Sequence, residues 1–210
     1  MIKKFNIDSL YSGMFSDILD NLGYNHNIIL GLNPINKGSK IFGRARTLEL
    51  IDSPGLPENI DKGLGFIEKI DVDEILFVKG SNKYAYFGEL MTRLSMRQKI
   101  QGAIIHGLSR DSAFIRNTNF NFFSSGFSPI DIKNRGQVSQ VDKRIEINNI
   151  SIDSGSLIFA DNDGVAIIPK KIEEIFLKEL SITVMEEKEI QNEINKGFSV
   201  EKILEKHKSF

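Results

Sequence analysis

Residues 75–106 restrict the fold of this chain more than any other stretch. Ile75-Leu76-Phe77-Val78 is a short apolar run of strand type, and a turn follows at Gly80-Ser81-Asn82. Tyr84-Ala85-Tyr86-Phe87 is a second strand candidate, and Gly88-Glu89 then opens a helix predicted to reach about residue 101. Ala103-Ile104-Ile105-His106 is a third strand, ending in a loop over 107–111. If the strands on either side of the helix are parallel neighbours, the crossover is right-handed and both following loops reach one edge of the sheet. Shorter strands are expected over 119–123, 145–147, 157–160 and 165–168. The class expected is α/β, a compact layered mixed sheet with flanking helices.

The flanks read as helices. Over 8–22, Leu10, Met14, Ile18 and Leu22 recur every four residues, with Phe15 and Leu19 widening the apolar face. Asp8 or Ser9 can cap its start, and Gly23 can end it. A strand over 40–51 is followed by a loop over 53–64, with Pro54, Gly55 and Pro57, that leads into a short helix. Residues 171–195 read as a long helix broken at Lys196-Gly197, and Ser199 can cap a final short helix through Leu204. The chain thus divides into a layered domain over 1–170 and a C-terminal helical arm over 171–210 of the same domain. Such an arm either packs on another body or lies on its own sheet.

Composition closes off several functions. With 27 basic and 28 acidic side chains the formal charge is −1, which offers no general attraction to nucleic acid or an anionic membrane. No apolar run approaches the roughly 18–20 residues of a membrane helix. The start Met-Ile-Lys-Lys-Phe-Asn-Ile-Asp lacks the apolar stretch of a secretion signal, so the expected location is the cytoplasm. Without cysteine there is no disulfide, thiol catalysis or thiolate metal site. Only His26, His106 and His207 could supply imidazole, so any metal is expected on oxygen ligands.

Gly88-Glu89-Leu90 and Arg110-Asp111 each follow a predicted strand, where ligands of α/β sheets gather. Free N–H groups at Leu90 and Met91, in the first helical turn, would attract an anion, and Gly88 would allow close approach. Arg110 can grip a carboxylate through two parallel hydrogen bonds. Asp111 and Glu89 supply hard oxygen suited to magnesium or manganese. The set describes a site for a small carboxylate and a divalent cation. Taken singly, the Arg-Asp pair also reads as a loop ion pair, and Glu89 as a residue that favours the helix dipole.

Gly88-Glu89-Leu90 and Arg110-Asp111, with twenty residues between Glu89 and Arg110, resemble the acidic-X20-Arg-Asp signature of the RraA-like family. Phe15-Ser16-Asp17-Ile18-Leu19-Asp20-Asn21-Leu22-Gly23 resembles its N-terminal helix, and Gly43-Arg44-Ala45 its following strand. Ile158-Phe159-Ala160-Asp161-Asn162-Asp163-Gly164-Val165, running on to Pro169, resembles its A-D-x-D-G-V ending, so the likeness extends from about residue 8 to about 205. The family includes 4-hydroxy-4-methyl-2-oxoglutarate aldolases and oxaloacetate decarboxylases. The resemblance implies a catalytic domain over 1–170 related to swivelling phosphohistidine-type domains, and trimers or hexamers with active sites between subunits. It assigns Asp111 to the metal, Mg2+ or Mn2+, and Glu89 to a water of the metal's shell. Arg110 would bind the keto acid and its enolate, and the Leu90 and Met91 amides the substrate carboxylate.

Cleavage of a 4-hydroxy-2-keto acid leaves a pyruvate enolate, and oxaloacetate decarboxylation passes through the same species. The expectation is therefore a metal-dependent carbon–carbon lyase acting on a small 2-keto acid, with no nucleic-acid or membrane partner. A third carboxylate is expected from a neighbouring subunit's arm. Leu180, Val184, Glu187, Gln191 and Ile194 form one stripe, and Glu187 interrupts its apolar line, with Glu186 and Glu189 as alternatives.

Three positions depart from the family pattern. Phe114 stands where an acidic residue is common, and His106 where Asp is frequent. The loop before the Ile75 strand is shorter than usual, and only Glu58-Asn59 echoes the family's Asp-Asn there. His106 reads as a pocket residue, an acid/base, or a packed strand-end histidine, while His26 and His207 have no visible chemical company. The competing classes are an RraA-type regulator that binds and inhibits an RNA-degrading endonuclease, and a non-catalytic oligomeric scaffold. Retention of Gly88, Arg110 and Asp111 favours the enzyme. A methyltransferase reading lacks a glycine-rich loop after the first strand.

Overall fold

The computed structural model describes residues 2–53 and 57–207, with backbone alone at residue 3 and residues 57–60. Its strands are β1 (Ile28–Ile29), β2 (Asn33–Pro34), β3 (Ile41–Ile51), β4 (Glu74–Lys79), β5 (Ala85–Phe87) and β6 (Gly102–Ser109). They continue with β7 (Asn121–Phe127), β8 (Gln137–Val141), β9 (Ile145–Ile147), β10 (Ile150–Ile152), β11 (Leu157–Ala160) and β12 (Val165–Ile168). The helices are α1 (Ser12–Asn21), α2 (Pro57–Ile67), α3 (Glu89–Gln98), α4 (Ser112–Arg116), α5 (Glu173–Asn195) and α6 (Val200–Lys206).

The main sheet runs β1-β12-β11-β3-β4-β6-β7-β2, with β5 beside β6 and β8 beside β3. Strands β3, β4, β6 and β7 are parallel, as are β5 and β6, while the remaining pairs are antiparallel. Strands β1 and β2 lie at opposite ends of this order, yet only residues 30–32 separate them in the chain. Four Cα–Cα steps span at most roughly 14 Å, so the sheet must curl until its two edges nearly meet. Inside the curl lie Ile41, Ile75, Phe77, Ile104, Phe123 and Ile158, packed with isoleucines of the β9–β10 hairpin.

Helices cover the outside in two groups. Leu76, Val78, Phe87, Ala103 and Ile105 of the sheet pack with Met91 of α3 and Phe66 of α2. Phe42, Phe159 and Ala166 pack with Phe15 of α1 and with Phe176 and Leu180 of α5. There the Phe15 and Phe159 rings stack at 4.3 Å, an arrangement that adds about 0.5–1.5 kcal/mol to the burial itself. Covering on both faces explains the unbroken apolar run of β4, where Ile75, Leu76, Phe77 and Val78 are all fully buried.

The helix expected over 8–22 begins instead at Ser12. Residues Ile7–Ser9 form a 3-10 turn capped by the Asn6 side chain, so neither Asp8 nor Ser9 caps α1. The cap comes from the far end of the chain: buried Asp161 accepts the Ser12 amide at 2.8 Å and the Asp163 amide at 3.0 Å. Gly23 ends the helix in the left-handed region, as expected. Strand β6 outlasts its predicted end because Gly107, at φ +149°, bulges beneath Ser81 and lets the chain continue to Ser109. Strand 119–123 becomes Asn121–Phe127, and β8, β10 and α4 had no sequence counterpart. Of the loop predicted over 53–64, residues 54–56 lie outside the described ones, and the helix already runs from Pro57.

The long C-terminal helix breaks at Lys196-Gly197 and restarts behind Ser199, whose hydroxyl accepts the Lys202 amide. Phe176, Leu177 and Leu180 bury its first half on the chain's own sheet. In its second half Ile190 and Glu193 are buried, as are Ile203 and His207 of the segment that folds back after Gly197. His207 is therefore not companionless: its Nε2 lies 3.0 Å from Glu193 Oε2, and Lys206 holds the other oxygen at 2.5 Å. No helix among the described residues is long and apolar enough to cross a membrane.

Candidate active site

Strands β5 and β6 are parallel neighbours, and both of their following loops meet at one edge. Gly88 is the residue before α3, in extended backbone that any residue can adopt. Its requirement is spatial. A Cβ there would stand 2.4 Å from Asp111 Oδ2 and 2.9 Å from Arg110 Cγ. The missing methyl is what allows the Arg-Asp pair to close over the helix N-terminus. The Glu89 amide, first in that helix, donates to Asp111 Oδ2 at 2.9 Å. The amides of Leu90 and Met91 follow in the same turn, where an α-helix has no preceding carbonyl to offer them. Asp111 itself sits at φ +56°, an uncommon conformation for a residue with a side chain, at the start of α4.

Arg110 is anchored by its backbone, whose N–H donates to the Phe87 carbonyl at 2.8 Å. Its Nη1 donates to Asp131 Oδ2 at 2.8 Å, while its Nε stays 3.7 Å from Asp111 Oδ2. Asp131 is the site residue that the sequence reading missed. It lies in a stretch without helix or strand periodicity, and nothing local marks it. Backbone pairing places it: Ala85 donates to the Ile130 carbonyl at 2.7 Å and accepts the Ile132 amide at 3.1 Å.

Glu89 lies on the cleft wall, but Arg93 one turn on holds its Oε1, at 2.8 Å from Nε and 2.7 Å from Nη2. The Arg93 guanidinium in turn lies 4.3 Å from the Phe114 ring centroid. Phe114 thus does a different job from a carboxylate at that position, as the platform beneath the arginine that steadies Glu89. Leu90 is exposed and Met91 buried.

Two clefts flank the Arg110–Asp111 pair. One, of ≈ 260 Å³, is lined by Tyr86, Gly88, Met91, Asp131, Ile132 and Lys133 together with the pair. The other, of ≈ 480 Å³, opens toward Ser112, Phe127, Ser128 and Pro129. Among the described residues the Tyr86 hydroxyl has no hydrogen-bond partner, and burial raises its pKa above the usual tyrosine range. A further cavity of ≈ 550 Å³ lies at the opposite strand ends, between Phe5, Phe42, Val72 and Gln101. It gathers none of the candidate residues, and its Arg44 is already held bidentately by Glu173.

Other candidates lie elsewhere. Glu187 accepts a hydrogen bond from the Tyr11 hydroxyl, and Glu189 lies 3.6 Å from Lys206. Neither lines either cleft within its own chain, nor does Glu186. His106 sits on the face of β6 opposite Ile105, beside Lys79 of β4. Burial, then the Lys79 charge, holds its imidazole below the ordinary histidine range. His26 is exposed, and the side chains of Glu58 and Asn59 lie outside the described residues.

Among the described residues no group of three or more His, Cys, Asp or Glu could hold a metal ion. Three carboxylates line the cleft at the Gly88 edge, but Arg93 holds Glu89 and Arg110 holds Asp131, so Asp111, whose Oδ2 accepts the Glu89 amide, is the one that could offer oxygen to a cation beside space for water. That suits magnesium, which gives up its waters reluctantly and needs few protein ligands.

The RraA-like family model, described as Aldolase/RraA, matches residues 14–167. Protein DlpA of Legionella pneumophila is 29% identical over 197 residues, which cover 92% of this chain but 32% of that protein. The chain therefore spans about a third of that relative's length. The 4-hydroxy-4-methyl-2-oxoglutarate aldolase of Thermus thermophilus is 25% identical, over 63% of this chain and 77% of its own. Among solved structures, Streptomyces coelicolor RraAS2 is titled an unusual member of the RNase ES inhibitor RraA protein family. It superposes with a TM-score of 0.77 at 19% identity, covering 89% of this chain and 95% of that one, a likeness of fold.

Proposed function

The chain belongs to the RraA-like family, and from that premise we propose that it is a divalent-metal-dependent carbon–carbon lyase. Its substrates would be 4-hydroxy-2-keto acids or oxaloacetate, both processed through a pyruvate enolate. The observation that carries the reading is the gap at Gly88, into which Arg110 and Asp111 converge over the first amides of α3. A bare interaction surface has no need for a guanidinium and a carboxylate packed against a helix N-terminus, with a side chain omitted to admit them.

The chemistry follows from charge. The Leu90 and Met91 amides, with the positive end of α3, take the substrate carboxylate. Arg110 faces the 2-keto oxygen and stabilises the negative charge that grows there as the C3–C4 bond breaks. In the retro-aldol direction the electron pair of that bond becomes the enolate, which takes a proton from water at C3 to give pyruvate, and the C4 hydroxyl becomes a carbonyl. Its proton passes to a water oriented by the Glu89 carboxylate. Magnesium or manganese on Asp111 would supply Lewis-acid stabilisation of the same oxyanion.

Glu187 enters this scheme from a neighbouring copy, in a homotrimer or hexamer. Support comes from surfaces left bare in one chain. Leu64, Leu90, Phe127 and Ile130 are exposed around the site, and Met185 and Val200 are exposed on the C-terminal helices, with Phe198 in the break between them.

The first test is oxaloacetate decarboxylation by the purified protein with magnesium or manganese, then with excess chelator. Expected is metal-dependent pyruvate release that vanishes in Asp111→Ala. In Arg110→Ala it should fall by a few kcal/mol of transition-state stabilisation, about 3–4. Absence of activity with any divalent metal would redirect the reading to a regulator that binds an RNA-degrading endonuclease.

A further inference from the structure

We infer that Asp131 is a positioning residue that holds the Arg110 guanidinium away from Asp111, keeping that carboxylate available to a divalent cation. The inference rests on the metal-dependent reading of the site and assigns a role to a residue outside the acidic-X20-Arg-Asp pattern. Its starting point is competition. Arg110 lies between two carboxylates, 2.8 Å from Asp131 and 3.7 Å from Asp111, with all three side chains partly exposed. A guanidinium beside a free carboxylate forms a bidentate pair readily, and such a pair would occupy the oxygens a metal needs.

Arg110 cannot settle the competition by retreating. Its backbone is tied to Phe87, and its Cγ packs over the bare Cα of Gly88. The guanidinium is therefore kept within reach of both acids. The other charges nearby do not replace Asp131. Glu89 is engaged by Arg93, and Lys133, on the same wall, is itself a cation. Asp131 in turn is fixed from two sides. The Ala85 pairing sets its backbone, and its Oδ1 accepts the Lys133 amide at 3.3 Å. The carboxylate facing Arg110 is thus part of a built wall.

The test is titration of the intact protein with MnCl2 alone, read by calorimetry, so that no turnover is needed. Asp131→Asn retains an oxygen for the Lys133 amide but loses the charge. It should weaken Mn2+ binding by roughly tenfold to a hundredfold, the range for lost groups that orient a metal's ligands. Asp131→Glu should recover most of the affinity. The deciding variant is Arg110→Ala combined with Asp131→Asn: once the competing cation is gone, Mn2+ binding should return to within a few-fold of wild type. A general structural role for Asp131 predicts no such rescue.

An Asp131→Asn protein that binds Mn2+ like wild type would overturn the inference and leave the lyase reading standing. Weakening that persists in the double variant would do the same. A wild-type protein that takes up no Mn2+ would overturn both.

Discussion

At Gly88 an absent methyl group shapes the chemistry of the site. Its backbone is extended, so alanine meets no conformational penalty there. The methyl would nevertheless stand 2.4 Å from Asp111 Oδ2 and force the Arg-Asp pair outward. Misplacement by about 1 Å costs on the order of a hundredfold in rate. Gly88→Ala is therefore expected to lower metal-dependent pyruvate release by about that factor while the melting temperature stays within a few degrees of wild type. A large loss of stability, or full activity, would show that the close approach at Gly88 is not what the site depends on. The same scale accounts for Phe114, whose ring beneath Arg93 keeps Glu89 oriented without supplying a carboxylate.

At the scale of elements, the docking of α6 on α5 depends on one buried carboxylate. The hydrogen bond from Lys206 holds the Glu193 carboxyl below the ordinary carboxylate range, against the opposing effect of desolvation, and His207 adds a second hydrogen bond. A depressed folded pKa means that this stabilisation is fully present above the ordinary carboxylate value. It is lost as pH falls through the folded one. Thermal melting of wild type and Glu193→Gln between pH 7 and pH 3 checks this. The wild-type advantage should be constant near neutrality and shrink below about pH 4. A difference independent of pH would remove the charge from the account and leave only packing.

At the scale of the whole molecule, one chain holds Gly88, Glu89, Arg110, Asp111 and Asp131 together but keeps Glu187 apart, beside Tyr11. Light scattering is expected to give three or six copies. A mixing experiment tests whether the site is shared. Asp111→Ala and Glu187→Gln are each inactive on their own in this scheme, and hybrids of the two should regain activity because some interfaces then combine two intact halves. Failure of the hybrids to recover, with both variants still oligomeric, would confine the chemistry to a single chain. The curl of the sheet also belongs to this scale, since it puts the helices outside and leaves the carboxyl ends of β5 and β6 free at an edge.

Local patterns were enough to identify much of this protein. The apolar run of β4, the glycine before α3, the Arg-Asp pair and the break at Gly197 are each written in neighbouring residues, because strand burial, close approach and helix ends are short-range demands. They placed the parallel β5–β6 edge and the residues upon it. Tertiary structure alone decided the rest. Asp131 meets Arg110 through backbone pairing to Ala85, Asp161 caps a helix that lies 149 residues away in the chain, and His207 finds Glu193 only because α6 folds back. Each is a contact between segments whose own sequences carry no sign of the other. The folded backbone brings them within hydrogen-bond reach, and burial then makes leaving those polar groups unpaired costly.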